Sequence, residues 1–129
     1  MTGTEWQVER VEKVTDGDSL RVIRSRIMRL GDDDFRVTDL KTKPIRLVWV
    51  DTPERGEPGY ADARDDVLEW VFDHGGNFYG DDEEHPLRVV CYESAGWDRL
   101  LGDLIDADGN SCSQWLMAER GWPAYVKGK

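Results

Sequence analysis

Arg46-Leu47-Val48-Trp49-Val50-Asp51-Thr52-Pro53-Glu54 sets a short apolar run between an arginine and two carboxylates. Of the five residues from Arg46 to Val50, four are apolar and two β-branched, so the stretch reads as a strand at least half buried. It has to stop at Asp51-Thr52-Pro53. Pro53 has no N–H for a sheet ladder and pushes Thr52 out of the helical region. One strand thus carries a cation at its start, an acid at its end and Glu54 in the turn beyond, a layout that a merely solvated surface rarely needs. The plain alternative is a strand followed by an Asp/Pro turn.

A chain of 129 residues around such a strand is expected to form one domain, 1–129, burying roughly two-thirds of its unfolded surface. No apolar run approaches the ~20 residues of a membrane span, and the opening MTGTEWQVER has no apolar signal core. The expected setting is intracellular, in the cytoplasm, with no membrane partner. Cys91 and Cys112 make no disulfide framework and lack the companions of a zinc site, so both read as small buried residues.

The net charge of −10 argues against broad electrostatic adhesion to DNA. Residues 1–46 carry ten Lys/Arg against nine Asp/Glu, whereas residues 47–129 carry seven against eighteen. A polyanionic partner would meet the first part more comfortably, or need a metal ion to neutralise the second. The alternative is a solubilising acidic surface.

Trp6, Val8, Val11 and Val14 alternate loosely and predict a first strand ending at Thr15, followed by the turn signature Asp16-Gly17-Asp18-Ser19. Leu20 to Met28 reads as a second strand, punctuated by Gly31-Asp32-Asp33-Asp34. Phe35 to Thr42 reads as a further strand or wide hairpin arm leading into the strand at Ile45. From Arg21 to Arg46 there are eight basic and four acidic residues, the acids clustered in the turn, so the arms offer a modest phosphate-facing surface.

Tyr60 to Asp73 is the clearest helix, with Ala61, Val67, Leu68, Val71 and Phe72 on its apolar face and Gly75-Gly76 as its stop. Asn77 to Pro86 reads as an acidic loop, and Leu87 to Tyr92 and Leu100 to Ile105 as strands. Asp108-Gly109 reads as a hairpin turn. Ser113 is expected to cap a short helix, Gln114 to Arg120, stopped by Gly121. Asp106, Asp108 and Asn110 have the opening spacing of a calcium loop, but Ser111 and Met117 stand where that loop needs Gly and Glu. His74 and His85 have no partners at ligand spacing. These elements describe a closed or nearly closed β-rich barrel with two helices.

Three pieces occur in order: Val14-Thr15-Asp16-Gly17-Asp18-Ser19, then Arg46 through Glu54, then Trp97-Asp98-Arg99-Leu100. Together they resemble the staphylococcal nuclease (thermonuclease) family, and the resemblance covers most of the chain. It implies an α+β, mainly β fold: an OB-type five-stranded barrel with about two packed helices. It also implies Ca²⁺ held by Asp18, Asp51 and the backbone carbonyl of Thr52. Calcium suits such a site, because a hard cation prefers oxygen ligands and tolerates irregular geometry. Two carboxylates about 5 Å apart repel by about 3 kcal/mol at an effective dielectric near 20, and a dication reverses that cost.

The resemblance further assigns Glu54 to the attacking water and Arg46 and Arg99 to the phosphate; it matches Tyr125 to a tyrosine that stacks on a base or sugar, the alternative being a tyrosine packed on the barrel rim. Guanidinium forks bind phosphate oxygens bidentately and stabilise transition-state charge. The implied activity is a Ca²⁺-dependent endonuclease acting on DNA or RNA, leaving a 3′-phosphate, with the chain expected to be a monomer. Departures from the family pattern are Ser19 for Thr, Asp98 for the Gly before the arginine, Ala95 for Asp, Gly59-Tyr60 in inverted order, and a short C-terminal tail. A second reading is a catalytically silent OB-fold module that binds single-stranded nucleic acid or a protein partner. Loss of the acidic ligands or of the Glu would mark such a module, and all of them are present.

Overall fold

The computed structural model describes residues 3–75, 87–94 and 100–125, without the side chains of 75, 93 and 94. Strands β1 (Thr4–Asp16), β2 (Ser19–Leu30), β3 (Asp33–Thr38) and β4 (Lys43–Leu47) precede helix α1 (Tyr60–Gly75); strands β5 (Arg88–Ser94) and β6 (Leu100–Ile105) and helix α2 (Cys112–Ala118) follow. The sheet runs β1-β5-β6-β4-β2 and closes through β1–β2 pairing, with β3 outside the ring on β2. β4 and β6 are parallel and all other pairs antiparallel. This is a closed five-stranded barrel with one extra strand and two helices, mainly β, and it fits an OB-fold-like α+β class.

β1 shows how the sequence achieves closure. A regular strand buries every second residue, but Val8, Val11 and Val14 are buried at intervals of three. Register shifts between Val8/Arg10, Val11/Lys13 and Val14/Asp16 supply the extra residue each time. Such bulges bend and coil a strand. β1 therefore pairs with β5 through Thr4–Gln7 and with β2 from Gln7 onward. Its valines join Leu20, Val22, Ile45, Leu47, Val89 and Leu104 in the core, which α1 covers with Val67, Trp70 and Val71 and α2 with Cys112 and Leu116. Cys91 and Cys112 are free and buried, as expected.

Several boundaries differ from those read in the sequence. The strand expected over Arg46–Val50 is Lys43–Leu47 instead. Trp49 lies at φ 67, and the Val50 N–H turns back to the Val48 carbonyl at 2.8 Å, so the chain leaves the ladder early. Val48 and Val50 stay buried all the same. In α1 the buried stripe is Ala63, Val67, Trp70 and Val71, the i, i+4, i+7, i+8 face; Ala61 and Phe72 lie outside it and are exposed.

α2 begins two residues before the expected Gln114. Ser111, not Ser113, is its cap, accepting from the Gln114 N–H at 3.2 Å. Ser113 is buried and donates through its N–H and hydroxyl to Asp103 Oδ1 at 3.0 and 2.9 Å. The expected Asp108-Gly109 turn is gathered by the Asp106 carboxylate, which accepts from the Asp108 and Asn110 N–H groups and the Asn110 side-chain amide. His74, read as partnerless, has its Nε2 3.6 Å from Asp106 Oδ2 and stacks on Trp70. The expected loop Asn77–Pro86, His85, Ala95 and the tail beyond Tyr125 lie outside the described residues. Among those described, no helix is long and apolar enough to cross a membrane.

Candidate active site

Register brings the site together. Asp16 and Ser19 pair across the two-residue turn Gly17-Asp18, and Ser19 also pairs with Arg46 of β4. Arg46 therefore emerges beside Asp18. The Asp18 carbonyl accepts the Leu47 N–H at 2.7 Å, locking the turn to the end of β4. Gly17 is required for contact rather than for its φ: a Cβ there would stand 2.5 Å from Ala63 Cβ and 2.8 Å from Thr52 Oγ1.

The Asp18 carboxylate is buried. Oδ2 accepts the Thr52 N–H at 3.1 Å and lies 3.5 Å from Arg46 Nη1, while Oδ1 accepts the Ser19 hydroxyl at 3.3 Å. Burial pushes its pKa above the ordinary 3.8, as does a hydrogen bond to the Asp16 carboxyl; the Arg46 charge and the Thr52 N–H pull the other way. Arg46 spans the site. Its Nη2 stands 3.9 Å from Asp51 Oδ1, and its Nη1 donates to the carbonyls of Leu47 at 2.7 Å and Val50 at 3.1 Å. The Val48 N–H still donates to the Gly102 carbonyl at 2.9 Å, and the chain then turns away at Trp49, so the Val50 carbonyl has no ladder partner among the described residues.

The segment Pro123–Tyr125 straps the loop after β4. The Asp51 N–H donates to the Pro123 carbonyl, the Tyr125 N–H to the Trp49 carbonyl, and Val50 bridges Ala124. The Tyr125 ring then lies 5.4 Å from the Arg46 guanidinium. Asp18, Arg46, Asp51, Thr52 and Tyr125 thus lie together as one cluster.

Glu54 is not part of it. It is exposed in a turn closed by its own N–H donating to Glu57 Oε1 (2.7 Å) and the Glu57 N–H donating to the Glu54 carbonyl (2.9 Å). Its carboxylate has no partner among the described residues. Arg99, with Trp97 and Asp98, lies outside the described residues.

The oxygen donors at the cluster are Asp18, Asp51 and Thr52, whose buried Oγ1 has no hydrogen-bond partner. No group of three or more His, Cys, Asp or Glu converges among the described residues. Such a sparse all-oxygen set fits a hard divalent cation only if water and a bound phosphate supply its remaining positions. Sequence reasoning treated Asp16 as a turn former and missed its contact with the Asp18 carboxyl. The repeated acid in Asp16-Gly17-Asp18 was the available signal. It also missed the Leu47 and Val50 carbonyls, which no side-chain pattern announces. Compared with known proteins, the sequence matches no protein family and no curated protein.

Proposed function

We propose that the chain is a Ca²⁺-dependent nuclease that hydrolyses phosphodiester bonds of DNA or RNA by in-line attack of water. The observation that carries this reading is the Arg46 guanidinium set between a buried carboxylate, Asp18, and a half-exposed one, Asp51. At 3.9 Å Asp51 is too far to form a close fork with Arg46, whereas a phosphodiester brought against the guanidinium would accept through both of its non-bridging oxygens. Asp18, Asp51 and the Thr52 carbonyl would hold the calcium ion, which polarises the phosphoryl oxygen and offsets the acids' charge when bound.

Arg46 and, in this reading, Arg99 hold the phosphate and the extra charge of the transition state. Glu54 takes the proton of the attacking water as the water oxygen bonds to phosphorus and the P–O bond to the leaving oxygen breaks, that oxygen taking up a proton from solvent. Tyr125 stacks on a base or sugar.

A second reading, a silent OB-fold module binding single-stranded nucleic acid or a protein partner, draws on the same arginine. Two carboxylates and two carbonyls already engage Arg46, as a purely structural residue would be engaged. Glu54→Gln separates the readings, because Glu54 lies outside the cluster and its loss leaves the fold intact. A nuclease loses cleavage of single-stranded DNA and RNA by about two orders of magnitude or more while binding is kept. Equal cleavage by parent and variant would remove Glu54 from the mechanism.

A further inference from the structure

The β2–β3 hairpin lies outside the closed ring and carries apolar residues that stay exposed among the described residues. All six residues of β3 are exposed, and it pairs only with β2, leaving one edge free among the described residues. Phe35 pairs with Met28, Val37 with Arg26 and Leu30 with Asp33, so Met28, Leu30, Phe35 and Val37 share one face. They are 42%, 73%, 47% and 41% exposed. A free strand edge beside an apolar face is a ready template for pairing with another chain.

The edge is complementary to itself. The Asp39 N–H donates to the Arg24 carbonyl at 2.9 Å, in register with the rest of the β2–β3 ladder. Hydrogen-bonding direction alternates along an antiparallel strand, so the odd residues of β3 face β2 while Asp34, Arg36 and Thr38 offer N–H and C=O to the free edge. A two-fold pairing must match these even residues with each other. Centred on Asp34 or on Arg36, it opposes like charges; centred on Val37, it sets Arg36 against Thr38 and gains no ion pair, whereas either odd centre sets one apolar residue against an aspartate. Centred on Phe35, it opposes Asp34 to Arg36 twice and sets the two Phe35 rings against each other at a non-hydrogen-bonded pair, where side chains approach closest.

We propose that two copies of this chain dimerise by antiparallel pairing of their β3 edges about an axis through Phe35, joining the hairpins into one sheet. The dimer replaces the monomer expected from the sequence and is independent of the nuclease reading. Asp34 is free to exchange partners, since its pair with Arg29 is long (3.7 Å) and exposed. Arg36 keeps spare N–H groups beside its bonds to Ser25 and Glu9.

Sedimentation of the full chain over roughly two decades of concentration tests the proposal. The expected result is a concentration-dependent shift to twice the chain mass. Asp34→Arg and Phe35→Lys should each give monomers with an unchanged far-UV spectrum, and Asp34→Arg/Arg36→Asp should restore the dimer by reversing both pairs. A parent chain that stays monomeric throughout overturns the proposal. So does a dimer that Asp34→Arg and Phe35→Lys leave intact.

Discussion

Arg46 Nη1 stands 3.5 Å from Asp18 Oδ2, although Arg46 lies in β4 and Asp18 in the β1–β2 turn. The contact follows from the pairing of Ser19 with Arg46, which fixes the end of β4 against the β1–β2 turn. A register slip of one residue would turn Arg46 to the other face of the sheet and dissolve the site. The site is thus as firmly specified as the barrel.

Arg46→Met should therefore destabilise the fold as well as abolish the proposed phosphodiesterase activity. It leaves the buried Asp18 carboxylate and two carbonyls short of a partner, and removing one member of a buried pair costs about 3–5 kcal/mol. Urea unfolding checks this: a loss below about 1 kcal/mol would show that the pair is no more than a surface contact.

Gly17→Ala should cost about 1–3 kcal/mol through overpacking against Ala63 and Thr52. Ala63→Gly in the same chain should return part of that loss, because it removes the atom 2.5 Å from the new methyl. The coupling is read from a double-mutant cycle of denaturation free energies.

Asp18→Asn bears on pH. The folded pKa of Asp18 is raised, so the folded chain holds a proton that the unfolded chain has already released. The stability that Asp18 contributes is full below 3.8 and is lost as pH rises through the folded value. Relative to the parent, the Asn variant should therefore gain stability as pH rises through that window. Thermal unfolding in chelator across it checks the sign, and a gain on acidification would contradict it.

Trp49 occupies the left-handed region at φ 67, where a Cβ costs roughly 1–2 kcal/mol. Trp49→Gly should therefore be more stable than Trp49→Ala by about 1 kcal/mol, the reverse of the usual order in a strand. Comparing the two variants cancels the loss of the Trp49–Tyr92 ring contact.

Much of this was legible in the sequence because it depends on local chemistry. Gly17 between two aspartates, Pro53 after an apolar run and the extent of α1 each leave a pattern that one segment can carry, although the buried face of α1 was misplaced. The barrel was legible from strand number. The bulges in β1 were not, since residues such as Arg10 and Lys13 carry no bulge signature. Nor was the early end of β4, because an apolar run shows burial and not hydrogen bonding: Val48 and Val50 are buried without being in the strand. Ser111 and Ser113 are equally good caps in sequence, and only the buried Asp103 decides between them. The strap of Pro123–Tyr125 over Asp51 is a long-range pairing with no local signature.

The most direct measurement of the central claim is cleavage of single-stranded DNA with added Ca²⁺ or with chelator in about tenfold excess, using Asp18→Ala as control. The account predicts cutting with Ca²⁺, none with chelator, and none from a folded Asp18→Ala variant under either condition. A folded parent chain that fails to cut with Ca²⁺ present, or cuts equally well in chelator, would contradict it.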